Sequence, residues 1–104
     1  MDSDQRIQQI QSINKLIHEP VRLGIMTVLC SAKEADFNFL LTALGVTKGN
    51  LSTHIARLVD AGYVTVKKEF RGKIPHTSYR VTRPGRDQFT QYWGNMNGLA
   101  PGQE

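Results

Sequence analysis

The chain has 104 residues, of which 39% are hydrophobic and 21% are charged, so it fits a single globular domain over 1–104 and excludes general disorder. Its longest apolar run is far shorter than the roughly 20 residues of a membrane-spanning helix, and its N-terminus lacks the order of a signal peptide, so we expect a cytoplasmic protein. The single cysteine, Cys30, excludes an internal disulfide and a cysteine-rich zinc site.

Positive charge is concentrated in one part of the chain. The net charge is +4, yet the segment from Lys48 to Arg86 holds nine cations and two anions, so the rest of the chain is net acidic. Such a segment suits a nucleic-acid surface, although basic strands can also serve solubility alone.

The first two predicted helices are amphipathic. Isoleucine and leucine recur at spacings of three and four over 5–18, and Pro20 ends this helix or starts the next one. A second helix is predicted over 20–32. Cys30 lies on its flank, where we interpret it as a small core residue rather than a redox sensor, because no neighbouring cation or second cysteine would activate it.

Residues 37–62 predict two helices joined by a tight turn. Asp36 and Gly45 are typical caps of a short first helix, and Thr47 and Gly62 are typical caps of a longer second helix. A helix, a glycine-containing turn and a helix together form a helix-turn-helix motif. The predicted buried stripe of the longer helix consists of Leu51, Ile55, Leu58 and Val59.

The outward face of the longer helix, over about 48–61, suits the DNA major groove. Asn, Thr and Arg side chains can reach base edges there, while Gly and Ala let the backbone approach closely. The plainer interpretation is an ordinary solvated helix surface. Opposite the buried stripe lie Gly49, Thr53, Ala56 and Asp60, flanked by Asn50 and Arg57, with Lys48 near the helix start.

Two β-rich runs, 63–70 and 77–82, follow this helix, and a basic connection containing Gly72 joins them. Alternation of apolar and polar residues predicts half-buried antiparallel strands. The two cations beside Gly72 can follow phosphates or enter the minor groove. The order of elements through 63–82 is therefore that of a winged helix. The predicted exposed cations of this wing are Lys67, Arg71, Lys73 and Arg80.

A last helix is predicted over 83–97, with Thr82 as its cap; beyond Gly94 the apolar pattern fades and the end is expected to fray. Its apolar face has more aromatic residues than one small domain needs, so we expect a homodimer. The alternative is a pocket for an unidentified small-molecule effector, lined by the three aromatic residues of this helix; aromatics that seal the dimer are the favoured interpretation. The predicted dimer surface consists of Ile7, Ile10, Ile13, Phe89, Tyr92, Trp93 and Met96.

Three stretches together resemble the winged-helix transcriptional regulators of the MarR and ArsR superfamily, in particular the small single-domain MarR-like group. They are HEPVRLGIMTVL, FLLTALGVTKGNLSTHIARLVDAGYVTV and YRVTRPGRDQF, within roughly residues 16–92. The resemblance implies a fold that is mainly α with a small β-hairpin wing, and N- and C-terminal helices that serve dimerisation. It also implies sequence-specific binding of double-stranded DNA, more often in repression than in activation. The DNA contacts implied by the resemblance are Lys48, Asn50, Ser52, Thr53, His54 and Arg57.

His54 has two interpretations. Its place in the family motif favours a hydrogen bond to DNA, whereas the alternative is a partly buried histidine that packs against the wing. The three histidines share no metal-ligand spacing, and the paired cysteines of metal-sensing relatives are absent. No metal or other cofactor is therefore expected.

The predicted partner is a pseudo-palindromic operator, on which the two recognition helices of a homodimer would lie about 34 Å apart. The alternative is a winged-helix module for protein interaction without a DNA-reading role, against which the basic helix and wing argue. An enzyme is disfavoured, because the sequence has no nucleophile elbow, phosphate loop or paired carboxylates.

Overall fold

The computed structural model describes residues 3–100, which form five helices and a three-stranded antiparallel sheet of order β1-β3-β2. The predicted fold, mainly α with a β-hairpin wing, is confirmed. None of the helices within residues 3–100 is long and apolar enough to cross a membrane. In chain order the elements are α1 Ser3–Gln11, α2 Pro20–Ser31, β1 Ala35–Asp36, α3 Phe37–Leu44, α4 Lys48–Asp60, β2 Val64–Arg71, β3 Ile74–Val81 and α5 Arg83–Leu99.

The caps predicted for the helix-turn-helix are present. The side chains of Asp36 and Thr47 each accept a hydrogen bond from the backbone amide three residues later, at 2.7 and 3.1 Å. Gly45 and Gly62 adopt φ angles of 65° and 81°, the left-handed conformation that ends a helix at low cost only for glycine. Local sequence therefore sets the lengths of α3 and α4.

The main core lies between α2, α3, α4 and the base of the sheet. The predicted buried stripe of α4 is confirmed for Leu51, Ile55 and Leu58, and each buried side chain of this size contributes about 1.5–3 kcal/mol. A second, smaller cluster joins the turn after α1 to α5 through Ile13, Ile17 and Tyr92. The fully buried residues of the main core are Ile25, Met26, Leu29, Leu40, Leu51, Leu58 and Val64.

The first helix is shorter than predicted. The apolar spacing predicts a helix over 5–18, whereas α1 ends at Gln11. Asn14 explains the difference, because its Oδ1 accepts hydrogen bonds from the backbone amides two and three residues later, at 3.0 and 3.2 Å. Such a side-chain turn competes with helical hydrogen bonding. Asn14 Nδ2 also donates to Tyr63 Oη at 2.9 Å, so this turn is attached to the start of the wing.

The wing hairpin is more regular than predicted. β2 and β3 pair continuously as far as Arg71 and Ile74, which reduces the predicted connection over 71–76 to the two-residue turn Gly72–Lys73. Gly72 has a φ of 66°, as a two-residue hairpin turn requires. The wing therefore extends as a paired ribbon to its tip.

Two further elements differ from the prediction. α5 continues to Leu99, past the loss of pattern after Gly94, because Met96 and Leu99 extend its apolar face onto the second cluster. The predicted fraying of 101–104 lies outside the described residues. The strand β1 pairs with β3, and a strand of two residues has no periodicity by which the sequence could reveal it.

Candidate nucleic-acid interface

The outer face of α4 is exposed and cationic. Within residues 3–100, neither Lys48 nor Arg57 forms an ion pair. Thr53 Oγ1 donates to the Gly49 carbonyl at 2.9 Å, which leaves its lone pairs available as acceptors. This face can therefore offer both charge and hydrogen bonds to a ligand. The predicted contact residues of α4 that are exposed are Lys48, Asn50, Ser52, Thr53 and Arg57.

A groove of about 270 Å³ separates α4 from the wing. Ser52, Ala56 and Asp60 line its α4 side, and Val66 and Lys68 line its β2 side. Ser52 therefore faces the wing rather than the outermost surface of the helix. Lys68 is a cation of this interface that the sequence-based prediction lacks. Strand alternation was the available signal, because residues two apart in a strand share a face.

The wing cations divide into paired and unpaired residues. Lys67 Nζ lies 3.7 Å from Glu69 Oε2, and Arg80 Nε lies 3.5 Å from Glu34 Oε2. Such exposed pairs contribute at most about 1 kcal/mol, so a phosphate can replace either carboxylate. The two cations at the tip form no ion pair within the described part of the chain. All four predicted wing cations are exposed: Lys67, Arg71, Lys73 and Arg80.

His54 points into the protein. Its Nδ1 lies 2.8 Å from Arg22 Nη1, and its Nε2 lies 3.7 Å from Glu19 Oε2. Because a guanidinium can only donate, Nδ1 must accept, and the proton of the neutral ring is on Nε2, facing Glu19. Arg22 is 8% exposed, and its Nε donates to the carbonyl of Leu16. The packed interpretation of His54 is therefore the better one, although its neighbour is α2 rather than the wing. This geometry favours a supporting role for His54 over a DNA contact.

The residues predicted for the dimer surface include both buried and exposed side chains. Ile13 and Tyr92 are 9% and 3% exposed and belong to the chain's own second cluster, so they offer little surface to a partner. Phe89 and Met96 are half-buried and pack against the same cluster. Three predicted members remain open to a partner, with exposures of 55%, 50% and 40%: Ile7, Ile10 and Trp93.

A cavity of about 230 Å³ lies beside Tyr92, between the turn after α1, α2 and α5. Tyr92 is the only one of the three aromatic residues predicted for a pocket that lines it, because Phe89 and Trp93 pack edge to face at 6.2 Å. Tyr92 Oη lies 2.8 Å from His18 Nδ1, and burial raises the pKa of this phenol. The complete lining is His18, Glu19, Pro20, Leu23 and Tyr92.

Cys30 is half-buried in α2. Burial raises the pKa of its thiol and outweighs the opposing effect of the Arg86 guanidinium. Because the thiolate is the reactive form, the raised pKa favours a packing role over redox sensing. Within residues 3–100, no group of three or more His, Cys, Asp or Glu side chains could hold a metal ion.

Comparison with known proteins supports the same architecture. Residues 21–99 match the family described as "Winged helix DNA-binding domain". An uncharacterized protein of Methanocaldococcus jannaschii is 33% identical over 79 residues, which are 75% of this chain and 85% of that protein. The family match begins in α2 and includes the helix-turn-helix, the wing and α5.

Solved structures show the same fold. A transcriptional regulator homologue from Pyrococcus horikoshii OT3 has a TM-score of 0.82 and 27% identity, over 91% of this chain and 93% of that chain. A MarR-family transcriptional regulator from Silicibacter pomeroyi has a TM-score of 0.65 and 16% identity, over 90% and 62% of the two chains. NadR in complex with 4-hydroxyphenylacetate has a TM-score of 0.65 and 15% identity, over 90% and 69%.

Proposed function

Because the chain belongs to the winged helix DNA-binding domain family, we propose that it is a homodimeric, sequence-specific regulator of transcription that binds double-stranded DNA. The observation that carries this proposal is the set of exposed cations on α4 and the wing. Five of these cations form no ion pair within residues 3–100, and they lie on the two elements that a winged helix presents to DNA: Lys48 and Arg57 on α4, and Lys68, Arg71 and Lys73 on the wing. The resemblance to MarR-like regulators favours repression.

The contacts divide by chemistry. Asn50 and Arg57 reach base edges in the major groove, because amide and guanidinium groups can form paired hydrogen bonds with bases. Lys48 lies in the first turn of α4, where the helix dipole also attracts a phosphate. Ser52 and Lys68 line the groove between α4 and the wing, where the phosphate backbone between two DNA grooves would lie.

The central test is a fluorescence-anisotropy titration of a random-sequence duplex at two salt concentrations, with the mass of the protein measured in solution. We expect a dimer that binds the duplex at micromolar concentration at low salt. Its affinity should fall at higher salt, since phosphate contacts release counterions. A folded protein that binds no duplex at low salt would contradict the proposal. That result would favour the alternative of a protein-interaction module.

Arg57→Ala is expected to weaken binding to a selected operator by about 1–3 kcal/mol and to relax the preference at one base pair. The reason is that Arg57 is exposed in the last turn of α4 and forms no ion pair with a carboxylate within residues 3–100. Arg83→Ala, which removes an equal charge from an exposed pair with Asp87 on α5, is the control. Unchanged affinity of Arg57→Ala for every sequence would remove this residue from base recognition.

Lys73→Ala is expected to weaken binding to all sequences alike. One lost phosphate contact should reduce the slope of log K against log salt by about 0.9. The measurement is anisotropy across a salt series on both a selected operator and a random duplex. A slope equal to that of the wild type would show that the wing tip does not contact phosphate.

Control by a small molecule is the second candidate, favoured by the cavity beside Tyr92. Glu19 lines this cavity, caps α2 through a 2.8 Å hydrogen bond from the Arg22 amide, and lies 3.7 Å from His54 of α4. A ligand that displaces Glu19 would therefore alter the support of α4. The volume is below that of most drug-sized sites, so a single-ring apolar molecule is the expected class.

Trp93 provides the measurement for this candidate, because it is the single tryptophan and its ring lies 5.3 Å from that of Tyr92. Titration with single-ring phenols is expected to change Trp93 fluorescence and DNA affinity together. A fluorescence change without any change in DNA affinity would exclude control through this cavity.

A further inference from the structure

The tip of the wing exposes an unusual amount of apolar surface. Phe70 and Ile74 are 72% and 70% exposed, more than any other large hydrophobic residue within residues 3–100. Both lie close to the two-residue turn but on opposite faces of the ribbon, because Phe70 pairs with Pro75 and Ile74 pairs with Arg71. Phe70 and Pro75 are both exposed and share one face of the tip. An apolar patch that stays in water at the end of a ribbon usually serves a contact.

The charges around this patch indicate the kind of contact. Lys68, Arg71 and Lys73 surround Phe70 in the sequence of the tip, and none of them forms an ion pair within the described residues. The one neighbouring anion, Glu69, lies 3.7 Å from a lysine. An apolar centre with a cationic rim complements nucleic acid, in which apolar base faces lie between two rows of phosphates.

The position of Phe70 fits the same partner. Val66, Lys68 and Phe70 share one face of β2, and the first two line the groove opposite α4. Phe70 lies four residues beyond Val66, which is about 13 Å at about 3.3 Å per residue. A major groove is about 12 Å wide. When α4 occupies the major groove, the roughly 13 Å from Val66 to Phe70 is therefore long enough to pass over the phosphate backbone at its edge. The tip then meets the adjacent minor groove.

We propose that Phe70 is an apolar wedge that enters the minor groove beside the α4 site and partly unstacks one base step. Arg71 and Lys73 hold the phosphates on either side of it. This inference rests on the proposed DNA-binding function and deepens it, because it gives the wing a role in sequence selection. Pyrimidine–purine steps, TA and CA/TG, unstack most easily and are therefore selected at the wing without any hydrogen bond to a base.

The first test uses duplexes selected from a random pool by the wild-type protein, with 2-aminopurine placed at successive positions outside the α4 half-site. Stacking quenches this base, so the wedge should raise its fluorescence several-fold at one flanking step. Phe70→Ala should abolish that signal and weaken binding to duplexes with a flanking TA step by about tenfold. Phe70→Leu should keep most of the signal, since leucine also serves as a wedge.

A second test repeats the selection with Phe70→Ala. The half-site read by α4 should remain, whereas the enrichment of flanking TA or CA/TG steps should disappear. Phe39→Ala is the matched control, because it removes a phenyl ring that is 57% exposed on α3 and belongs to neither strand of the wing hairpin. It should leave both the flanking enrichment and the 2-aminopurine signal unchanged.

The outcomes separate this inference from the function on which it rests. If the wild-type protein binds no duplex at low salt, the DNA-binding function itself is overturned. If it binds DNA but Phe70→Ala selects the same flanks with the same affinity, only the wedge is overturned. A lower mass of Phe70→Ala in solution would instead show that the tip contacts a second protein chain, which also overturns the wedge.

Discussion

Replacing Gly85 with alanine is expected to lower the free energy of unfolding by about 3 kcal/mol, at the upper end for overpacking. A Cβ at this position would lie 2.3 Å from the carbonyl oxygen of Tyr63 and 2.9 Å from its Cα. These are backbone atoms between α4 and β2, and the same carbonyl accepts a 2.9 Å hydrogen bond from the Thr82 amide. No side-chain rotation can relieve the overlap, so α5 must move away from the base of the wing.

Denaturant unfolding of Gly85→Ala beside Gly94→Ala measures this effect. Gly94 lies on the same helix, and an added Cβ meets nothing within 4 Å there. The control should therefore gain up to about 1 kcal/mol from the better helix propensity of alanine. Equal stability of the two variants would show that α5 does not approach Tyr63 as closely as the structure indicates.

The double substitution Ile7→Glu with Ile10→Glu is expected to convert the proposed dimer to a monomer. α1 has no buried residue, and these two isoleucines are about half exposed. The chain is also elongated, with a radius of gyration of 15.9 Å, whereas a compact chain of this length has about 13 Å. We therefore expect α1 to be covered by a second copy, in which a buried isoleucine contributes about 1.5–3 kcal/mol.

The expected size of the effect follows from symmetry. A two-fold interface uses each isoleucine twice, so the Kd of dimerisation should rise at least about 100-fold. Sedimentation or light scattering measures this directly, and operator binding should weaken because two half-sites are no longer linked.

The matched control is Gln8→Glu with Gln9→Glu, which adds the same charge to exposed α1 positions between the two isoleucines in sequence and on the other side of the helix. It should leave the dimer intact. A variant of Ile7 and Ile10 that keeps the wild-type mass would show that the subunits associate elsewhere.

Local sequence determines the helix-turn-helix almost completely. Asp36, Gly45, Thr47 and Gly62 act within three or four residues, through hydrogen bonds and backbone conformations that do not depend on distant parts of the chain. The apolar periodicity of α4 likewise depends only on spacing. For this reason the sequence alone indicates both the bounds of α4 and the face that it exposes.

Contacts between residues far apart in sequence explain two features that the sequence-based prediction missed, the position of the turn after α1 and the strand β1. The turn that Asn14 forms after α1 is local, but its position is fixed by a hydrogen bond from Asn14 Nδ2 to Tyr63, 49 residues later. The strand β1 exists only because β3 pairs with it. Neither partner lies near enough in sequence to leave a periodic signal.

In the candidate site too, local sequence pattern determined some features and tertiary packing determined others. The sequence by itself determined the cationic outer face of α4 and the cations of the wing, because helix and strand periodicity assign a side chain to the outer or inner face of its own element. Only the tertiary structure decided that His54 binds Arg22, that Lys68 faces α4, and that Tyr92 is buried inside the subunit. Periodicity shows which face of an element is apolar, but the neighbour that covers this face is set by the packing of the whole chain.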